Sequence, residues 1–346
     1  MQFKRIIYCF FLFIGTISSQ NISKVTIQNI DTILSKKMSV RAILPDTDKL
    51  WFAANKNVFG YYDLKSKKVF EKKIEFNNKE MEFRSIAQTK KYVFVASIGS
   101  PAYIFRINKK TLEYTMVFED NHKDAFLDSM TFADNKFGIV VGDPTGDCMT
   151  ILFTKNGGKN WEKIPCDLLP RVEKGEAAFA ASNSNVITNN GKIWIISGGV
   201  KSRIFFSENG NDFIVNDLPI IQGQSMTGAF TADFYDDKIG IVAGGDYEKP
   251  LSNMENKAIT TDGGKHWETI ADGIGFGYAS CIQYVPHSLG KRIVSVGATG
   301  LFYSIDCGNS WEKLLDETTF YTIRFLDENT LFAAGKDKIV QYRLSW

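Results

Sequence analysis

Histidine is nearly absent from this 346-residue chain: only His122, His266 and His287 occur, with no HExxH and no CxxC, which argues against a zinc enzyme. An excess of one charge is missing too. Lys and Arg total 41 against 39 for Asp and Glu, and the surplus cations Lys4 and Arg5 lie in the first twenty residues, leaving 39 against 39 beyond them. A balanced chain has no electrostatic footprint for nucleic acid or an acidic membrane. No G-x-G-x-x-G follows a strand pattern, no haem motif appears and no ligand cluster has metal spacing, so no cofactor and no metal are expected. What the chain has is apolar and aromatic substance, 44% and 13%, enough for a large core and too much for wholesale disorder.

Residues 1–20 read as a secretory signal peptide. The basic pair Lys4-Arg5 precedes an apolar run over 6–14 and then Gly15, Thr16, Ser18 and Ser19, with cleavage expected near 18–20. The run is shorter than the roughly 20 residues that span a bilayer, and no later stretch reaches about 18. No Cys follows the small residues to take a lipid anchor. The expectation is an exported protein, periplasmic or secreted, without membrane insertion, whose residues 21–346 form one domain.

One phrase recurs: TKNGGKNW (154–161), TTDGGKHW (260–267), SIDCGNSW (304–311) and a shortened SENGNDF (207–213). Each fits Ser/Thr-x-Asp/Asn-x-Gly-x-x-Trp, the Asp box or BNR repeat, which is a β-turn device. Asn156, Asn209, Asp262 and Asp306 supply the side-chain acceptor for backbone N–H groups. Gly158, Gly264 and Gly308 tolerate positive φ, and Trp161, Trp267 and Trp311 pack back over the hairpin. The role expected of these residues is structural.

Around the boxes, units of four short strands begin near Val40, Phe83, Asp128, Glu176, Thr227, Ala279 and Thr322. Apolar positions read as equivalent, Ile43, Ile86, Phe132, Phe179, Phe230, Ile282 and Phe325, fall 43, 46, 47, 51, 52 and 43 residues apart. Four strands every 40–50 residues predict an all-β propeller. The last unit holds three strands before the chain ends, and the alternating segment 23–30 is free to supply its fourth. The reading is a seven-bladed ring closed by the N-terminal strand, with six blades as the alternative; a closed ring leaves no open edge. Cys148 and Cys166 stand symmetrically about Gly157 in the third unit's hairpin, which makes them candidates for a disulfide. Cys281 and Cys307 are expected to be unpaired.

In a four-stranded blade the Asp-box turns share one face with the turns between strands one and two. The other face collects residues that open the innermost strands, Arg41, Arg84, Asp128 and Glu176, and residues of the loops between strands two and three: Asp143, Arg203, Asp246 and Tyr247. These eight are the candidate ligand- or partner-binding residues of a charged central mouth; none is assigned as catalytic.

The segments DSMTFADNKFGIVVGDPTGD, KGEAAFAASNSNVI and GIVAGGDYEKP resemble an exported bacterial BNR/Asp-box propeller family related to the photosystem II stability and assembly factors, within the sialidase-like superfamily; its members often carry the label oxidoreductase. The likeness spans nearly all of 21–346. It departs in the first two units, which lack the box, and in the shortened fourth box. The family's recurring phrases fall on Arg41, Arg84, Asp143-Pro144, Gly175-Glu176 with Ser182, and Asp246-Tyr247 with Pro250. The resemblance implies a shared fold and mouth and supplies no reaction.

Three functions follow. The first is a monomeric binding or assembly module whose partner is a protein or a small acidic or sugar-like ligand, held by arginine forks. The second is a sialidase-like glycoside hydrolase: Glu176, Tyr247, Tyr321 and Asp128 supply residue types, but VRAI at 40–43 replaces the F/Y-R-I-P opening. An oxidoreductase is the third, with nothing in the sequence for it beyond the family label.

Overall fold

The computed structural model describes residues 24–346 apart from residue 211; the signal peptide expected over 1–20 lies outside the described residues. Among the described residues almost every regular element is a β-strand, with one 3-10 turn at Cys166–Leu168. The strands form an all-β propeller of antiparallel sheets around a central channel.

Burial grades outward within a sheet. Second strands such as Gly138–Gly142, Lys192–Ile196 and Ile293–Gly297 are apolar apart from Lys192 and Ser295 and almost wholly buried, because neighbouring sheets cover both of their faces. The outer strand Lys68–Lys73, reading KVFEKK, keeps four lysine and glutamate side chains in water, and charge on an outer strand blocks pairing with other chains. Cores lie between adjacent sheets: Ala42, Trp51 and Phe59 pack against Phe83, Val93 and Tyr103. Trp194 stacks on Phe234 at 4.1 Å and donates its indole N–H to Gly263 O at 2.8 Å, so its polar atom stays satisfied while the ring is buried.

The Ser/Thr-x-Asp/Asn turns hold themselves by side chains. Thr154, Thr260 and Ser304 accept from the N–H of Gly158, Gly264 and Gly308 at 2.9–3.0 Å. Asn156 and Asp262 each accept from two backbone N–H groups across the turn, and Asp306 from Ser310 N–H. Trp267 and Trp311 donate to Gly264 O and Gly308 O. Gly157 N–H and Gly263 N–H reach Lys136 O and Lys238 O in the turns between first and second strands, which fixes both kinds of turn on one face.

The N-terminal strand closes the ring. Thr26–Pro45 pairs with Thr330–Ser345 from Thr26↔Ser345 to Ser35↔Lys338 and, past a register shift, at Ser39↔Lys336, well beyond the expected segment 23–30. Thr330–Ser345 itself turns back at Asp337, whose φ is 66°, and Leu344 N–H reaches Asn329 O at 2.8 Å.

Seven separate sheets are expected from the repeat, and the hydrogen-bonded sheets number six, the alternative count. The cause is the same strand. From Val40 on, Thr26–Pro45 pairs with Lys49–Ala54, so the chain's last and first units merge into one six-stranded sheet. A second departure lies in the fourth unit, whose innermost strand breaks into Glu176–Ala177 and Val186–Asn189 while Gly198 bridges to Gly228 of the fifth. The apolar alignment also shifts. By pairing, Met130, Ala232 and Ile323 match Ile43, Ile86 and Ile282; Phe132 and Phe325 lie two residues further on and Phe230 two residues earlier.

Candidate functional site

One irregularity repeats around the channel. The innermost strands carry a β-bulge at the same step, between Val40 and Ala42, Phe83 and Ser85, Leu127 and Ser129, Ala229 and Thr231, Ala279 and Cys281, and Phe320 and Thr322. The extra residue in each is Arg41, Arg84, Asp128, Phe230, Ser280 or Tyr321. A bulge re-aims the side chain of the residue it leaves unpaired. Six such residues therefore gather at one end of the channel, on the face away from the Ser/Thr-x-Asp/Asn turns.

In the fourth unit the same step expands into an excursion. Ala177 pairs with Gly198 and Val186 with Ile195, so residues 178–185 leave the sheet between them. They cross the channel and tie to every other unit. Arg41 Nη1 donates to Ala181 O (3.4 Å), Asn183 Nδ2 to Ile86 O (2.8 Å), and Met130 N–H to Asn183 Oδ1 (2.8 Å). Ser184 Oγ donates to Thr231 Oγ1 (2.8 Å) and Ser182 Oγ to Ser280 O (2.6 Å). Arg324 Nη2 donates to the carbonyls of Ser182 (3.0 Å) and Asn183 (2.9 Å). The segment plugs the channel.

Above the plug the charges are unevenly satisfied. Arg41 lies over the Tyr321 ring, its guanidinium carbon 4.0 Å from the centroid, and its buried Nε has no hydrogen-bond partner. Burial, and then the neighbouring Arg84 charge, pull its pKa down. Arg84 Nε donates to Glu82 Oε1 at 2.8 Å and the pair stays about a quarter exposed. Asp128 is fully buried and neither carboxylate oxygen has a partner of hydrogen-bond geometry. Burial first, then the charge of Asp143, push its pKa well up. Burial also raises Asp143 to about 6 while its Oδ1 accepts Ala178 N–H at 3.1 Å.

The other sequence candidates do different work. Glu176 is sealed inside: Oε1 takes Ser197 Oγ and Arg203 Nε, and Oε2 takes Arg203 Nη2 and Glu173 N–H, at 2.5–3.0 Å. Arg203 is thus a fork whose Nε and Nη2 are taken by Glu176 and Arg171 O. Asp246 Oδ1 builds a turn by accepting from Glu248 and Lys249 N–H. Tyr247 is half exposed and sets its edge against Tyr278. Arg41, Arg84, Asp128 and Asp143 are brought together; Glu176, Arg203 and Asp246 stabilise the loops around them. Cys148 and Cys166 are joined by a disulfide with Cα atoms 5.7 Å apart, and Cys281 and Cys307 are free.

Two hollows flank the plug. One of about 540 Å³ lies beside Asp143 and Glu176, bordered by Asp124, Asp147, Glu173 and Lys174. The other, about 300 Å³, is the channel mouth on the turn face, lined by Leu44, Gln88, Thr131, Asn183, Asp233, Gln283 and Arg324. Burial lifts Asp233 to about 6. Sequence reasoning missed this second mouth, and missed Phe230, Tyr278 and Ser280 in the first. The bulge gives the signal: once the alignment is shifted to Met130, Ala232 and Ile323, the residue two before each aligned apolar position is the one aimed into the channel.

Among the described residues no helix is long and apolar enough to cross a membrane, and no group of three or more His, Cys, Asp or Glu is placed to hold a metal. No protein-family model matches the chain, and no curated protein matches it by sequence. Solved structures do match in shape. YCF48 bound to a D1 peptide superposes with a TM-score of 0.65 at 12% identity, over 92% of this chain and 95% of that one. Streptogramin B lyase gives 0.65 at 15%, over 92% and 98%. YCF48 from Cyanidioschyzon merolae gives 0.63 at 12%, over 91% and 98%, so what this chain shares with all three is a propeller fold.

Proposed function

We propose that this chain is an exported binding or assembly module that captures a segment of a partner protein at the mouth built from Arg41, Arg84 and Tyr321. The observation that carries the reading is Arg41 itself. Its guanidinium is half-buried, desolvated and backed by a ring, yet one buried N–H has no acceptor. Desolvating a cation without a partner costs free energy, and an incoming carboxylate would recover it through a charge-assisted hydrogen bond. The shape match to YCF48 bound to a D1 peptide supports a peptide as the occupant. The six sheets are read here as seven radial units with the first and last fused, an arrangement that points one bulge or the plug from every unit at the same axis.

The glycoside hydrolase reading is weaker. Its candidate acid or nucleophile helper Glu176 has both oxygens engaged by four donors, and Asp128 is fully buried. The test is Arg84→Ala, assayed by peptide binding and by melting. Binding should fall at least tenfold with the melting temperature held, since Arg84 is a quarter exposed and pairs only with Glu82 at the surface. Unchanged binding would overturn the reading.

A further inference from the structure

The channel mouth on the turn face has a ring of its own. Pairing places Val186 of the fourth unit level with Met130, Ala232 and Ile282 of the others. The residue after each aligned apolar position is Leu44, Ala87, Thr131, Ile187, Asp233, Gln283 or Arg324, and all seven line the cavity of about 300 Å³. Asn183 and Ser184 of the plug line it as well, so the segment that crosses the channel forms its floor and parts it from Arg41. The ring has two sides. Leu44, Ala87 and Ile187 are apolar, whereas Asp233, Gln283 and Arg324 stand side by side on the last three units.

Two of these polar groups are half used. Asp233 Oδ2 accepts Tyr284 N–H of the next unit at 2.7 Å, and Gln283 Oε1 accepts Phe325 N–H of the unit after that at 2.9 Å, which fixes both side chains. Among the described residues Asp233 Oδ1, Gln283 Nε2 and the Thr131 hydroxyl have no partner of hydrogen-bond geometry. A fixed acceptor thus stands beside a fixed donor. Asp233 and Arg324 are the charged residues of the lining, and each offsets the other. Arg324 spends Nη1 on Ile323 O at 2.7 Å and on Thr322 Oγ1 and Cys281 Sγ at 3.3 Å, and Nη2 on Ser182 O and Asn183 O. No pair of its N–H groups is left to fork a ligand carboxylate, and its charge beside Asp233 disfavours an ammonium. Gln88 is held by Pro45 O and by Lys109, which is itself paired with Asp46. Phe132, the aromatic ring of the lining, is stacked on Phe94 at 4.8 Å and set edge-on to Trp161, so the wall facing the polar arc is aliphatic and offers no platform for a flat base. The mouth suits a neutral molecule with one polar edge.

We propose that this second mouth binds a neutral monosaccharide, with adjacent ring hydroxyls taken by Asp233 Oδ1 and Gln283 Nε2 and the C–H face of the sugar laid on Leu44, Ala87 and Ile187. A hydroxyl both donates and accepts, so neighbouring hydroxyls can give a hydrogen to the carboxylate and a lone pair to the amide. A concave site with an apolar wall and a few convergent polar groups is the usual build of a small-molecule pocket, and a raised carboxyl such as Asp233 is common in one. The site is independent of the peptide reading above, because the plug lies between the two mouths.

The experiment is calorimetric titration of the full chain with D-glucose, D-galactose, D-mannose and D-xylose, and with glucuronate, glucosamine and cyclohexanol for comparison. At least one neutral sugar should bind with a Kd below about 1 mM, more tightly than the charged sugars or cyclohexanol. Asp233→Asn keeps an acceptor for Tyr284 N–H, and Gln283→Glu keeps one for Phe325 N–H, so both variants should melt like wild type. Each should weaken sugar binding about tenfold or more. Deoxy analogues of the bound sugar lacking one of an adjacent hydroxyl pair should lose about as much, a readout that needs no variant. Binding of none of the four neutral sugars would overturn the proposal. So would tighter binding of glucuronate, glucosamine or cyclohexanol, or an affinity unchanged in either folded variant.

Discussion

Arg41 and Tyr321, extra residues of two bulges 280 positions apart in sequence, stack with the guanidinium carbon 4.0 Å from the ring centroid. Ring closure through the N-terminal strand makes them neighbours, since it fuses the sheet carrying Tyr321 to the strand carrying Arg41. A cation over an aromatic face gains about 0.5–2 kcal/mol. Tyr321→Leu keeps the apolar bulk but removes that gain and the ring that orients the guanidinium, so peptide affinity should drop about 3- to 30-fold and stability should fall by about 0.5–2 kcal/mol. Fluorescence anisotropy measures the first quantity; no loss of affinity would remove the ring from the site.

Glu176 and Arg203 should behave in the opposite way. Their contact is buried on the Glu176 side and nearly so on the Arg203 side. Glu176→Ala leaves a guanidinium without its counter-ion and should cost about 3–5 kcal/mol of stability. Urea unfolding gives the value, and a loss under about 1 kcal/mol would show that the pair is dispensable.

Much of the fold was legible because its devices are local. A Ser/Thr, an Asp/Asn and a Gly within five residues make a turn wherever they fall, as Thr260, Asp262 and Gly264 do. The missing fourth strand of the last unit was visible by subtraction, and the N-terminal strand supplies it. The fusion of first and last units into one sheet was not legible, because nothing in IDTILSKKMSV says that one strand bends through two pairings. Arg41, Arg84 and Asp128 were found because strand openings are countable. Glu176 and Arg203 were placed in the mouth because a charged residue in a loop reads alike whether it faces water or a counter-ion. The plug was hidden: FAASNSN has no charge and no turn motif, and its role comes from carbonyls, amides and short hydroxyls meeting the sheets around the channel.

The acids beside the plug predict a pH dependence. Asp143 titrates near 6 in the fold against an ordinary 3.8, and Asp128 is raised with it. A raised carboxyl means that the fold holds its proton more tightly than the unfolded chain does. Its stabilising contribution is complete below the unfolded value and is lost as pH climbs through the folded one. Asp143→Asn keeps the acceptor for Ala178 N–H and should flatten the fall in stability between about pH 4 and 6.5 relative to wild type. An identical pH profile for the two proteins would contradict this.

Arg324 is the plug's clamp, donating to Ile323 O, Ser182 O and Asn183 O at 2.7–3.0 Å. Arg324→Met should cost about 3 kcal/mol, since charge-assisted bonds to otherwise unpaired carbonyls are lost. Amides over 178–185 should exchange faster with deuterium than in wild type. Unchanged exchange there would mean the plug is held without it.

The central claim is that Arg41 is held for a ligand at the expense of the free protein's stability. One paired measurement on Arg41→Gln addresses it: the melting temperature without peptide, and affinity for acidic peptides by anisotropy. The account predicts a melting temperature equal to or above wild type, because a desolvated, partly unpaired cation is removed, together with at least a tenfold loss of affinity. A clear drop in melting temperature with affinity intact would show Arg41 to be a structural residue and contradict the account.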